Sequence, residues 1–366
     1  GTARCAEFRE KKGRKIATLH LIEKEINALM VIGGDGSLTG ASILSAEWQE
    51  HQEALLNDGL ISGGLSSKLT SLKVVGLVGS IDNDLCGTDF TIGANSALHR
   101  ILDACDCLVT TASSHGRAFV VQCMGRDAGY LTLYAGVLVG ADFIFIPENP
   151  PDEAEDWLGR MCQAVKFSRQ NGKTSSIVML AEGARTVQGT LITPQDVAAA
   201  LEERMSLDVR TTVLGHIQRG GKPTARDRIV STLTAVEGVE ALSTMREHLI
   251  IGFAQGGVVR LPLTPTIQTT QSVGHALRQQ LWLQVRSLRG PQFEAIWNVW
   301  DQLFGDSCIR QGLGRGEDVR QLAGEHTNTP TSLTASTVEA FPSTGRVLMV
   351  LCVGPPSPGM NMTLRM

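Results

Sequence analysis

The sequence predicts an α/β protein of three-layer, doubly wound, mainly parallel sheets divided between two subdomains. Three observations predict it. Short apolar runs ending in glycine or an acid alternate with longer amphipathic stretches, the pattern of parallel strand–helix units. The 39 glycines suit many tight strand-to-helix turns. A hydrophobic fraction of 42% over 366 residues is enough for a core shared by two subdomains.

The expected strands, in order, are Ala28–Ile32, Val74–Val78, Phe119–Val121, Phe143–Ile146, Ile177–Leu180, Thr211–Leu214, Leu249–Phe253 and Val347–Val353. Helical spacing fits Ala17–Glu25, Ile92–Ala104, Asp156–Ser168 and Arg226–Leu242. Ser62–Thr70, rich in Gly and Ser, reads as a surface loop, and the polar stretch Arg315–Arg346 as a linker.

With 33 basic and 37 acidic residues, the net charge of −4 offers no global field for nucleic acid or an anionic membrane. An anionic ligand must therefore be held by locally placed basic groups. The 8 cysteines are scattered without a CxxC pair, which predicts reduced thiols and a cytoplasmic location. No stretch approaches membrane-spanning length, and no signal peptide opens the chain. The chain begins at Gly1-Thr2-Ala3-Arg4-Cys5, like the middle of a turn, and stops one turn into a new unit, as a fragment would.

In a doubly wound sheet, ligands gather at the carboxyl ends of the strands. The unusual residues sit there. Ala28–Ile32 runs into Gly33-Gly34-Asp35-Gly36-Ser37 at the start of a helix. Glycines let the backbone approach phosphate oxygens, helix amides face the anion, and Asp35 could hold Mg²⁺ against them. The spacing matches neither the Walker pattern nor GxGxxG. A Gly-rich turn with Asp35 as a helix N-cap is the alternative, and kinases of NAD and of lipids also use Gly-Gly-Asp-Gly loops.

Val74–Val78 leads into Gly79-Ser80-Ile81-Asp82-Asn83-Asp84. In an extended segment Asp82 and Asp84 project to one side and repel unless a cation or proton joins them. One acid could then serve as general base on a hydroxyl while the other supports the metal's water shell. A solvated Asp/Asn turn is the alternative. Further strand ends carry Arg117, Met124-Gly125-Arg126, Glu182, Arg210, His216 and Arg219, a set suited to an anion with sugar hydroxyls beside it. Taken singly, each is more readily a surface ion-pair partner.

In this order, Gly1–Cys5, Gly33–Ala41, Gly79–Asp84 with Gly87-Thr88-Asp89, Ser114–Arg117, Met124–Arg126 and Val213–Gly221 resemble the phosphofructokinase family, over roughly Gly1 to Leu263. The insertion Trp48–Thr70 and the tail resemble the tandem-duplicated eukaryotic form, as in fungi and animals. The resemblance implies transfer of the ATP γ-phosphoryl to O1 of fructose 6-phosphate, the committed step of glycolysis. It implies Asp82 as the base, assisted by Arg126. Arg4, Cys5, Gly34, Asp35, Gly36 and Ser37 would line ATP, with Asp35 serving Mg²⁺. Ser80, Asp82, Met124, Gly125, Arg126, Glu182, His216 and Arg219 would contact the sugar phosphate or the transferring group. Arg117 and Arg210 are similar to residues lent by a neighbouring subunit, which implies a homo- or hetero-oligomer, a tetramer or larger. Pyrophosphate-using relatives typically carry Asp at the place of Gly36 and Lys at that of Gly79, so glycine at both favours ATP.

The same resemblance implies an ATP-binding subdomain from 1–93 plus 218–275 and a fructose 6-phosphate subdomain from 94–217 plus 276–314. A linker follows at 315–345, and the regulatory half begins at 346–366. The family's opening strand and Gly-rich loop are not found before Gly1, so the sheet edge beside Ala28–Ile32 is expected to be unpaired. Two other functions compete: a different Gly-Gly-Asp-Gly kinase such as an NAD kinase, which Ser80–Asp84 and Met124–Arg126 argue against, and a catalytically impaired or regulatory chain.

Overall fold

The computed structural model describes residues 5–245, 247–304 and 348–353, the last of these by backbone alone. Ten strands run through them. They are β1 (Ala28–Gly33), β2 (Lys73–Ser80), β3 (Ile92–Gly93), β4 (Ala118–Cys123), β5 (Phe143–Phe145), β6 (Ser176–Ala181), β7 (Val209–Val213), β8 (Leu249–Ala254), β9 (Gly257–Pro262) and β10 (Leu348–Val353). The α-helices are α1 (Lys11–Glu23), α2 (Asp35–Ala46), α3 (Trp48–Asn57), α4 (Gly63–Lys68), α5 (Ala94–His115) and α6 (Tyr130–Leu138). They continue with α7 (Trp157–Gln170), α8 (Pro194–Met205), α9 (Ala225–Thr244), α10 (Leu263–Arg278), α11 (Trp282–Arg289) and α12 (Pro291–Phe304).

The strands form two sheets. The first has the order β10-β1-β2-β8-β9, with β3 joined to β2, and the second the order β5-β6-β4-β7. All pairs are parallel except the β8–β9 hairpin. β1 is buried along its whole length because both sheet faces are covered. Leu29, Val31, Val74 and Val78 pack with Leu38 and Leu44 of α2, while Met30, Ile32, Val75 and Leu77 pack with Ala235 and Leu242 of α9. That is the three-layer arrangement expected. The second sheet carries a larger core, in which Val120, Val121, Val178 and Leu180 meet Ile101, Leu131 and Val165.

Several expectations need correction. The edge beside β1 is not unpaired: β10 lies parallel to it, from Ala28↔Leu348 to Gly33↔Val353. Ser62–Thr70 is not a plain loop, since Gly63–Lys68 forms α4 with the Ser62 hydroxyl accepting the Leu65 amide (3.3 Å). Packing overrides its Gly/Ser content, for the Leu69 carbonyl accepts from both Trp48 Nε1 and Gln52 Nε2 of α3. α5 continues to His115 before Gly116, in the left-handed region, stops it. The expected linker lies outside the described residues.

Candidate active site

Two turns at the carboxyl ends of β1 and β2 form one wall. Gly34 is the N-cap of α2, and a Cβ there would sit 3.6 Å from Ser80 Cβ, so the two turns lie side by side with room for little more than a methyl group between them. Asp35 is therefore the first helical residue and not the N-cap that the alternative required. Its carboxylate has the Thr39 hydroxyl at 3.4 Å, and burial followed by the charge of Asp84 raises its pKa against the opposing pull of Arg126. Gly36 and Ser37 complete this first helical turn, and the space where a Gly36 side chain would stand is open.

The second turn is bent where the sequence suggested extended backbone. Asn83 sits at φ 49°, its Nδ2 donating to the Asp89 carbonyl (3.0 Å) while its Oδ1 accepts from the Thr91 amide (2.8 Å). Asp82 and Asp84 nonetheless remain close enough to repel. The Ser80 hydroxyl accepts the Asp82 amide (3.2 Å) and donates to Asp84 Oδ1 (3.3 Å). Asp82 is 4% exposed, its Oδ1 has no hydrogen-bond partner among the described residues, and its Oδ2 lies 3.7 Å from Arg126 Nε. Burial and then Asp84 push its pKa up to about 6, with Arg219 and Arg126 opposing and Glu182 adding to the rise.

The opposite wall comes from the second sheet. After β4 the chain passes through Gly125 at φ 154° and Arg126 at φ 51°. Its amides are held from below: Met124 N–H donates to Gln218 Oε1 (2.9 Å), and those of Gly125 and Arg126 to Glu182 Oε1 (3.1 and 2.8 Å). Glu182 thus orders the Arg126 loop, a task the sequence reading did not foresee. It also missed Gln218, fully buried in the 3₁₀ turn Gly215–Arg219, although the residue lies inside the quoted Val213–Gly221 run. His216 is exposed on the same turn and Arg219 half-buried.

Asp35, Ser80, Asp82, Asp84, Arg126, Glu182 and Arg219 therefore cluster where turns of the two sheets face one another, and Met124 and Gly125 carry Arg126 into the cluster. Arg117 and Arg210 do not. Arg117 precedes β4 and Arg126 follows it, so a strand length of about 20 Å separates them. Both bind Asp208, Arg117 Nε to Oδ2 and Arg210 Nη1 to Oδ1, each at 2.6 Å. Cys5 is exposed, with Sγ 3.3 Å from Glu7 Oε2, and Arg4 lies outside the described residues.

The family model described as phosphofructokinase matches residues 1–242. The chain belongs to the phosphofructokinase family. It is 40% identical over its whole length to the muscle-type ATP-dependent 6-phosphofructokinase of Mus musculus and 39% to that of Homo sapiens. Each alignment takes in 43% of the relative, so the chain spans less than half the length of these phosphofructokinases. Among solved structures, phosphofructokinase from Saccharomyces cerevisiae superposes with a TM-score of 0.78 at 44% identity, covering 81% of this chain and 39% of that one. Phosphofructokinase from Pichia pastoris in the T-state gives 0.78 at 40%, covering 83% and 32%.

Proposed function

We propose that this phosphofructokinase chain transfers the γ-phosphoryl group of MgATP to O1 of fructose 6-phosphate. One observation carries the reading: the Asp35 turn lies against Ser80 of the Asp82 turn, whose Asp82 Oδ2 stands 3.7 Å from Arg126 Nε, so the two acidic turns and Arg126 come together at one place. Acids on opposite sides of the sheet would have excluded a kinase.

Within that cluster Asp82 takes the proton of the 1-hydroxyl. A carboxyl with a pKa of about 6 is ionised at neutral pH yet far more basic than a solvated one, as a general base requires. Its Oδ2 faces Arg126 Nε at 3.7 Å, beside the charge that would meet the transferring group. Arg126 and Arg219 offset charge on the transferring group, since phosphoryl transfer asks the protein chiefly to position groups and neutralise charge. The open first turn of α2, with Gly36 and Ser37, directs amides toward the nucleotide phosphates. Ser80, Met124, Gly125, Glu182 and His216 complete the sugar-phosphate side, and Arg4 and Cys5 the nucleotide side.

No cluster of three or more metal-binding side chains occurs among the described residues. The chemistry of Asp35 still fits magnesium, which commonly takes one or two carboxylates with the rest from phosphates and water. When bound with ATP, the ion neutralises the phosphates. The raised pKa of Asp35 beside Asp84 marks a place where added positive charge is favourable.

Arg117 and Arg210 support an active site completed by a neighbouring subunit in a homo- or hetero-oligomer, because in their own chain they stand a strand away from Arg126. The subdomain division at 1–93 plus 218–275 and 94–217 plus 276–314 is supported by the distribution of strands, with β1, β2, β8 and β9 in one sheet and β4–β7 in the other. No helix among the described residues is long and apolar enough to cross a membrane.

The test is a coupled assay with fructose 6-phosphate and, in turn, MgATP, magnesium pyrophosphate, and MgATP with NAD as acceptor. Fructose 1,6-bisphosphate formed from ATP alone is expected. Turnover with pyrophosphate but not ATP, or phosphorylation of NAD, would overturn the assignment.

A further inference from the structure

α10, α11 and α12 carry the chain from the first sheet to the second, with α10 packed on α2 and β8 and α12 on α6. The last two residues of α11 touch both walls of the site. The Leu288 carbonyl accepts from Cys86 Sγ (3.2 Å), at the far end of the Asp82 turn, while the Cys86 amide donates to Thr270 Oγ1 of α10 (3.1 Å). Arg289 reaches the other way. Its Nε donates to Glu148 Oε1 (2.9 Å) and its Nη2 to the Asp127 carbonyl (2.5 Å). Both Glu148 oxygens also accept from the Gly129 amide, at 3.0 Å each. Gly290 then turns the chain away at φ 91°.

The Arg289 and Glu148 side chains are 5% and 0% exposed. A buried ion pair is a poor source of stability, because desolvation offsets the attraction. The proposed chemistry uses neither residue directly. We propose that Arg289, anchored by Glu148, is a positioning residue that holds the Arg126 loop at its working distance from the Asp82 turn. The inference rests on the phosphofructokinase reading above.

The Arg126 loop has two consecutive residues at positive φ, a shape that persists only when its surroundings over-determine it. Gln218 and Glu182 hold the loop from the ends of β7 and β6, neighbours in its own sheet. Arg289 is different: it comes from the helix whose adjacent residue binds the Asp82 turn. It therefore refers one wall to the other. A misplacement of about 1 Å between reacting groups costs on the order of 100-fold in rate.

Two variants test this. Arg289→Lys keeps the charge but loses the planar fork that spans Glu148 and the Asp127 carbonyl. The double variant Arg289→Met/Glu148→Gln removes both charges together, so neither is left buried alone. Both are expected to melt cooperatively, with KM for MgATP within about twofold of wild type and kcat lower by about 10–100-fold. Hydrogen exchange in residues 124–129 should accelerate while β4 stays protected. A folded double variant with wild-type kcat and wild-type exchange in 124–129 overturns the inference. If the double variant does not fold, the same two readings on Arg289→Lys decide it. Should the wild-type chain itself show no turnover of fructose 6-phosphate, the functional reading fails separately. Exchange then decides alone: faster exchange in the variants supports the positioning role and unchanged exchange overturns it.

Discussion

Burial and the charge of Asp84 push the Asp82 carboxyl from an ordinary 3.8 up to about 6. Between those values the folded chain keeps a proton that the unfolded chain has released, so stability falls as pH rises through this window and stays lower above it. Two pH units amount to about 3 kcal/mol at neutral pH. Asp82→Asn is therefore expected to melt above wild type near pH 7, with the difference vanishing toward pH 4, while kcat drops by about 10²–10⁴-fold. Calorimetry and the coupled assay check the two halves. An equal melting temperature near pH 7 would show that ionised Asp82 costs the fold nothing. Gly36 poses the reverse case. A side chain there meets open space, so Gly36→Asp should leave the melting temperature unchanged and lower kcat/KM for MgATP about tenfold or more by repelling the phosphates. Retained ATP use would remove Gly36 as a determinant of the donor. The chemistry of both residues was legible in sequence because acids and glycines at strand ends are unusual. The bend at Asn83 was not, since only its bonds to Asp89 and Thr91 reveal it.

Where β6 ends, Gly183 approaches the Arg126 loop so closely that a Cβ would lie 1.9 Å from the Arg126 carbonyl oxygen. Gly183→Ala is expected to destabilise the chain by about 1–3 kcal/mol, as overpacking does, and to lower kcat by displacing Arg126. Denaturant titration and steady-state kinetics measure the pair of effects; a stable variant with normal kcat would mean that the loop relaxes freely. Strands such as β1 and β6 were readable because burial on both faces demands continuous apolar runs. α4 was not readable, because Trp48 and Gln52, distant in sequence, are what make its Gly/Ser-rich segment a helix. The tail of α5 beyond Ala104 was missed as well: Thr110, Ser113 and Ser114 are poor helix formers, here donating back to carbonyls one turn earlier.

Across the molecule, Arg117 and Arg210 share Asp208 at the end of β4 remote from Arg126. If they serve a neighbouring subunit, Arg117→Ser should raise KM for fructose 6-phosphate by about 10–100-fold, the worth of one charge-assisted hydrogen bond, and leave kcat nearly intact. Oligomers mixed from Arg117→Ser and Asp82→Asn subunits should then regain activity that Asp82→Asn oligomers lack. An unchanged KM, or no recovery on mixing, would confine the site to one chain. The pairing of β10 with β1 also belongs to this level, since nothing local in Val347–Val353 names its partner.

The two-period alternation of apolar runs and amphipathic stretches was enough to establish the doubly wound class, and the glycine-and-acid turns were enough to mark the strand ends where chemistry gathers. Those features are written in neighbouring residues, so they can be read along the chain. Convergence of Asp35, Asp82, Arg126 and Arg219 into one cluster could not be read that way. Nor could the amide-holding work of Glu182 and Gln218, or the bridge through Arg289. Each depends on contacts between segments far apart in sequence, and only packing two sheets together brings those segments within the few ångströms over which hydrogen bonds and charges act.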